Sequence, residues 1–263
     1  MMYGPRVCLQ DGTRCTSAPI SLQFDSRDFS YAPQQQRRFM RFVDGVMKLC
    51  GSSCNIRKLC LRCKSFAFKD EDFSCIRRWI STAIKNNVIE LDLYLFSIYY
   101  DFLEIFEMPP SFYGCRSFVS LKLETNYITF TSGCFPSLKY LHVTSHNSII
   151  GGRVKIFLNC PALEDLTMIG NMGRDVLVVN ISAPQLTTDT LECEFFVDAQ
   201  RLENLHVNMN WACLSSNYVL ENSKSLVKAK IHLKYYMPPK YMYKYPSYVD
   251  NISTLLAGTY FKC

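Results

Sequence analysis

The residues in this chain best suited to chemistry are its cysteines and histidines. Cys50-x3-Cys54-x5-Cys60-x2-Cys63, with Cys75 nearby, has spacing from which thiolates could close a tetrahedral zinc site. Alternation along an extended segment counts against it. Cys60 sits between Leu59 and Leu61 and points to the opposite face, whereas Cys63 shares their parity. One strand cannot easily aim both at one ion. Of the 13 cysteines, Cys115 and Cys160 each precede a strand start by three residues, as small apolar filler would. No apolar run of signal-peptide length occurs in residues 1–30. The cysteines are therefore expected to be reduced structural thiols in a cytoplasmic or nuclear protein. Neither a metal nor another cofactor is expected.

There are 4 histidines. His142 lies between Leu141 and Val143, His206 between Leu205 and Val207, and His232 between Ile231 and Leu233, so all three rings should face outward from strands. Catalysis would need a nucleophile and an orienting carboxylate within reach of such a ring, and no spacing brings such a set together. G-x-S-x-G and H-E-x-x-H do not occur, and Gly151-Gly152 and Gly170-Asn-Met-Gly173 lack the remaining signature of a phosphate loop. The expectation is a chain that binds and does not catalyse.

Charge narrows the partner. The formal net charge is +6, spread without a block of five like charges, so nucleic acid is not indicated. No apolar stretch reaches the roughly 18 residues of a membrane span. A tyrosine-rich loop from Tyr235 to Tyr248, interleaved with Lys240 and Lys244, reads as rings folded over the last repeat, or as a grip on a partner.

The elements that must position these residues follow from periodicity. Residues 1–36, punctuated by Gly4, Pro5, Gly12, Pro19 and Pro33, read as an irregular N-terminal segment. Phe39, Phe42, Val43, Val46, Met47 and Cys50 predict an amphipathic helix ending near Gly51. A strand over 56–61 leads to a second helix, capped by Asp70 or Asp72, with Ile76, Trp79, Ile80, Ala83 and Ile84 buried. After Asn86-Asn87 comes another strand, Val88 to Leu93. The phrase Cys160-Pro161-Ala162-Leu163-Glu164-Asp165-Leu166-Thr167-Met168 has an L-x-x-L-x-apolar core that recurs along the chain.

Strand starts can be placed at Ile56, Val88, Phe118, Leu138, Leu163, Leu186, Leu202 and Leu226, at intervals of 16 to 32 residues. Several intervals match the roughly 20–29 residues of a leucine-rich repeat. Asn126, Asn171 and Asn210 stand at the next repeat position, where a buried amide would bond turning backbone. The fold expected is α/β: an irregular leucine-rich-repeat solenoid, a right-handed β-α horseshoe with a parallel sheet on its concave face. Residues 37–263 form the repeat domain in this reading, truncated at the C-terminal end. An ordinary α/β sandwich is the alternative.

Alternation then names the concave surface. Its outward residues would be Lys58, Cys60 and Arg62; Glu90, Asp92 and Tyr94; Ser120, Lys122 and Glu124; Tyr140, His142 and Thr144; Asp165, Thr167 and Ile169; Thr188, Thr190 and Glu192; Asn204, His206 and Asn208; and Lys228, Lys230 and His232. Lys58, Arg62, Glu90, Asp92, Lys122, Tyr140, His142, Asp165, Thr167, His206 and Lys230 are the candidate partner-binding set. Basic at both ends and acidic at Glu90 and Asp92, the surface suits a protein or peptide.

Several ordered phrases carry a family resemblance. They are Arg38-Phe39-Met-Arg-Phe42-Val43-Asp44-Gly-Val46, Trp79-Ile80 with Asn87-Val88-Ile-Glu90-Leu91-Asp-Leu93, Cys115-Arg-Ser-Phe118-Val-Ser-Leu121-Lys-Leu123, and Phe135-Pro136-Ser-Leu138-Lys-Tyr-Leu141. Cys160-Pro161-Ala-Leu163-Glu-Asp-Leu166 and Ile181-Ser182-Ala183-Pro184-Gln-Leu186 complete the series. Together they resemble the leucine-rich region of plant F-box/LRR proteins, including the kind ending in an FBD domain. The resemblance implies substrate-recognition repeats of a ubiquitin ligase, joined through an F-box to a Skp-type adaptor and a cullin. Residues 1–36 contain no F-box helix signature and no Trp-Arg pair of the kind that closes one. The expectation is thus a repeat surface without a recognisable F-box. The alternative is a truncated product with no ligase role, binding competitively or not functioning.

Overall fold

The computed structural model describes residues 19–29, 33–51, 54–64, 68–96, 106–125, 128–129, 133–145, 155–172, 178–181, 193–211, 216–221 and 224–235. In chain order these form β1 (Ile20–Asp25), α1 (Pro33–Cys50), β2 (Ile56–Lys64), α2 (Asp70–Lys85), β3 (Glu90–Phe96), β4 (Phe106–Glu107), β5 (Ser120–Thr125), β6 (Ile128–Thr129), β7 (Gly133–Cys134) and β8 (Tyr140–Ser145). Then follow β9 (Lys155–Asn159), β10 (Asp165–Met172), β11 (Val178–Ile181), β12 (Cys193–Asp198), β13 (Asn204–Trp211), β14 (Ser216–Glu221) and β15 (Lys228–Tyr235). Eight strands pair in the order β1-β2-β3-β5-β8-β10-β13-β15, five in the order β14-β12-β11-β9-β7, and β4 pairs with β6. Every pairing is parallel. The architecture is that of an α/β repeat fold.

Each L-x-x-L phrase is a turn followed by a strand. Leu138, Leu163 and Leu202 donate their N–H groups to Phe135, Cys160 and Ala199 at 3.2, 3.1 and 3.1 Å. Pro136 and Pro161 occupy the second position of their turns, where a fixed φ near −65° is pre-set for the bend. The first leucine therefore plugs the core from the turn, fully buried, and the ladder starts two residues later. A second device keeps successive turns in register. Lys139 and Tyr140 both donate to the Val119 carbonyl, Glu164 and Asp165 to Lys139, Glu203 and Asn204 to Glu164, and Val227 and Lys228 to Glu203, all between 2.8 and 3.1 Å.

Two expectations about the main sheet change. The segment 1–36 is not irregular throughout, because Ile20–Asp25 is a strand paired with β2. Its signal was the strict alternation of Ile20, Leu22 and Phe24 with Ser21, Gln23 and Asp25, set among glycines and prolines. Conversely, β10 pairs directly with β13, so the main sheet has no place for a Leu186 strand between them. Thr188, Thr190 and Glu192 lie outside the described residues. So do Asn126, most of the tyrosine-rich loop and residues 250–263, and nothing is described of the Asn171 and Asn210 side chains. Their backbones do meet in register.

Among the described residues, the β-α alternation holds only at the start. α1 and α2 lie between β1, β2 and β3 in the chain, but later connections run through β7, β9, β11, β12 and β14. These return segments, such as Lys-Ile-Phe-Leu-Asn and Cys-Glu-Phe-Phe-Val-Asp, are 5 and 6 residues long. They are too short for a stable helix and rich in strand-forming side chains.

The helices carry the predicted faces. Phe39, Val43 and Met47 of α1 are buried, as are Ile76, Trp79, Ile80 and Ala83 of α2. Gly51 takes φ +49 and Asn87 φ +58 just past their helix ends, the left-handed geometry that glycine and asparagine tolerate best. At the start of α2 the cap position belongs to Lys69. Asp72 reaches back to accept its backbone N–H at 3.1 Å. Buried Asn86 ties the two helix ends together, donating through Nδ2 to the Gly51 and Thr82 carbonyls at 2.7 and 2.8 Å. Where helical backing gives way to strands, Phe112, Phe118 and Phe135 fill the core. Their ring centroids lie 5.4 to 6.1 Å apart.

Candidate interaction face

One side chain in two along each main-sheet strand points away from the core, and parallel register stacks these into three rows. The first runs Ser21, Lys58, Glu90, Ser120, Tyr140, Asp165, Asn204, Lys228. The middle row is Gln23, Cys60, Asp92, Lys122, His142, Thr167, His206, Lys230, and the third is Asp25, Arg62, Tyr94, Glu124, Thr144, Ile169, Asn208, His232. All eleven candidate residues fall in the first two rows except Arg62, which is in the third. Sequence reasoning missed Ser21, Gln23 and Asp25 because it missed their strand.

Accessibility refines the set. Tyr140 is 47% exposed, while Cys60 and Thr144, both expected to face outward, are only 2% and 6% exposed. Long neighbours cover them. The Cys60 thiol lies 3.5 Å from Asp92 Oδ2, and Thr144 Oγ1 lies 3.0 Å from His142 Nε2. Burial, reinforced by the Asp92 charge, pushes the Cys60 thiol up to about 12, so it stays protonated and is a poor nucleophile or metal ligand. Cys63 points the other way, into the core, and burial raises it well above the usual thiol range. The opposed parity argued from alternation is what the strand adopts. Among the described residues no group of three or more His, Cys, Asp or Glu is placed to hold a metal, and no helix is long and apolar enough to cross a membrane.

The first strands neutralise one another. Lys58 pairs with Glu90 at 3.0 Å, Arg62 with Asp92 at 3.6 Å, and Arg27 with Asp25 at 2.6 Å. Burial opposes ionisation of Asp25, but the hydrogen bonds and charge of Arg27 outweigh it and hold the carboxyl low. On β8, burial first and the Lys122 charge second push His142 below the usual imidazole value. Its charged form is thereby disfavoured. On the turn side of the sheet, Glu164 gathers Lys139 at 2.9 Å and Arg201 at 3.3 Å, clamping adjacent turns.

Comparison with known proteins bears on what such a face belongs to. Residues 76–228 match the family model described as "FBD-associated F-box protein At5g56370, LRR repeats". The chain belongs to this family. It is 30% identical over 228 residues to the F-box/LRR-repeat protein At3g58900 of Arabidopsis thaliana, covering 81% of this chain and 67% of that protein. It is 29% identical to the putative F-box/LRR-repeat protein At3g49150 of the same plant, covering 90% of this chain and 39% of the relative. Identity to the putative F-box/FBD/LRR-repeat protein At3g59240, also from Arabidopsis thaliana, is 29%, covering 92% of this chain and 49% of that one. The chain thus spans between 39% and 67% of the length of these relatives. No solved structure matches it. The family match covers β3 through the start of β15 and so contains most of the three rows.

Proposed function

We propose that the chain is a non-enzymatic protein-binding module whose partner docks on the outward face of the main sheet. In this reading the repeats, residues 37–263 with β1 added to their first turn, coil as a right-handed solenoid with that sheet on its concave side. Its role is substrate recognition for an F-box-type ubiquitin ligase in the cytoplasm or nucleus. A Skp-type adaptor and a cullin would be its ligase partners. The observation that supports it best is the set of three continuous side-chain rows crossing the eight strands. Continuous rows on one rigid sheet offer a broad surface of mixed polarity, which suits a folded or extended polypeptide better than a small molecule.

Replacing Glu90, Asp92, His142 and His206 together by alanine is expected to reduce capture of the protein partner at least about tenfold. The circular dichroism spectrum should be unchanged, because these side chains lie off the core. Capture equal to that of the unsubstituted chain would refute the face as the docking surface. Co-precipitation with a Skp-type adaptor tests the ligase role separately: stable association supports it, and its absence from the full-length protein argues against it.

A further inference from the structure

The charges of the face are unevenly matched. On β1, β2 and β3 each charged side chain of the rows has an oppositely charged neighbour within 3.6 Å. Beyond β3 the middle row runs Lys122, His142, Thr167, His206, Lys230 in strict register, with no carboxylate in it. Neither lysine makes an ion pair among the described residues. Asp92 of β3 stands beside Lys122 in the same row but is engaged by Arg62 at 3.6 Å and by the Cys60 thiol at 3.5 Å, and the other nearby acids stand one row away. Glu124 is on β5, and Asp165 on β10 accepts a hydrogen bond from Asn204 Nδ2 at 3.1 Å.

Resting on the proposal that this face is the docking surface, we infer that its middle row seats an acidic, extended polypeptide segment running across β5, β8, β10, β13 and β15. Carboxylates of the segment meet Lys122 and Lys230 at the two ends, and His142, Thr167 and His206 supply polar contacts between them. Four strand spacings of about 4.8 Å separate the two lysines by about 19 Å, the length of about six residues of extended chain. Only every second side chain of such a segment faces the sheet, so acids at alternate positions fit the row. A nucleic acid is a poorer fit, because its continuous phosphates would be set against Glu124 and Asp165 on either side.

The His142 imidazole makes this seat sensitive to pH. His142 is faced by Ser120, Lys122 and Glu124 of β5, by Asp165, Thr167 and Ile169 of β10, and by Tyr140 and Thr144 on its own strand, with Asp92 of β3 and His206 of β13 also acting on its charge. Protonation of the His142 ring adds positive charge to a stretch of the row that lacks carboxylates. Affinity for an anionic segment therefore rises as pH falls.

The test is fluorescence anisotropy at low salt, with a labelled peptide of about nine residues alternating glutamate and serine. The peptide is expected to bind the full chain and to bind several-fold more tightly near pH 6 than near pH 7.5. The double variant Lys122→Ala/Lys230→Ala should weaken binding about tenfold, and His142→Gln should remove most of the pH dependence. Lys85→Ala, at the exposed end of α2, should leave affinity within about twofold. Equal binding of a glutamine-serine peptide would overturn the inference. So would tighter binding of a thymidine oligonucleotide, or a loss with Lys85→Ala as large as with the double variant. The two readings fail separately. A protein partner lost on the four-alanine substitution, yet not displaced by the acidic peptide, refutes only the charge assignment. A partner whose capture survives that substitution refutes the docking face itself.

Discussion

Phe112→Ala is expected to lower the unfolding free energy by about 3–5 kcal/mol, the range for deleting a fully buried aromatic ring. The ring has 0% exposure and touches both other members of the cluster, with centroids 5.5 Å from Phe118 and 5.4 Å from Phe135. Its backbone is held by a hydrogen bond from its N–H to Pro109 at 2.8 Å, so the turn cannot easily collapse into the space left. Edge-on and tilted ring pairs add about 0.5–1.5 kcal/mol beyond their buried area. Urea unfolding followed by circular dichroism should show a lower midpoint with an unchanged slope. A shift of less than about 1 kcal/mol would mean that the cluster is not the packed junction between helix-backed and strand-backed turns.

Trp79→Ala should cost about as much, for a different reason. The indole is 1% exposed, and its Nε1 donates to Asp44 Oδ1 on α1 at 3.1 Å. Asp44 also accepts from Arg78 of α2 and pairs with Lys48 at 2.7 Å. It is the polar hinge-pin of the two helices. Asp44→Asn is expected to cost about 1–3 kcal/mol. The double variant should cost less than the sum of the two, because both changes act on the same indole hydrogen bond, which Trp79→Ala deletes and Asp44→Asn weakens from a charged to a neutral acceptor. Burial alone would raise the Asp44 carboxyl, but the hydrogen bonds from Lys48, Arg78 and Trp79 outweigh it and hold it well below the usual carboxylate range. For an acid lowered in the folded state, the stabilisation is complete above the unfolded value of about 4 and disappears as pH falls through the folded value. The Tm gap between wild type and Asp44→Asn should thus be constant from about pH 5 to 7 and narrow below about pH 4. A gap that widens in acid would contradict the assignment.

How far these features were legible in the sequence depended on what enforces each one. Alternation of Leu91, Leu93 and Leu95 with Asp92 and Tyr94 leaves a strand one choice of inward face, so the rows could be read before the register was known. The helix faces of Phe39, Val43, Met47, Ile76, Trp79 and Ile80 were equally legible, since their spacing admits one buried stripe. The strand at Ile20 was hidden by its setting, because turn-forming neighbours obscured six well-alternating residues. The Leu186 assignment failed for the opposite reason. A leucine at a tolerable interval imitates a repeat start, while only backbone pairing shows that β10 and β13 are adjacent. The second sheet was missed because its segments of 2 to 6 residues carry too little period to separate them from loops. Burial of Cys60 and Thr144 lay beyond alternation altogether. Which outward side chains are covered depends on neighbours on other strands.

The docking face itself is best tested by hydroxyl-radical footprinting of the chain, free and bound to its protein partner. Tyr140, at 47% exposure in the first row, and Leu49, at 85% exposure on α1, supply reporters on and off the face. On binding, oxidation of Tyr140, His142 and His206 should fall several-fold while that of Leu49 is unchanged. Protection of Leu49 with Tyr140 and both histidines still fully reactive would place the partner on the helices and contradict the sheet as its docking surface.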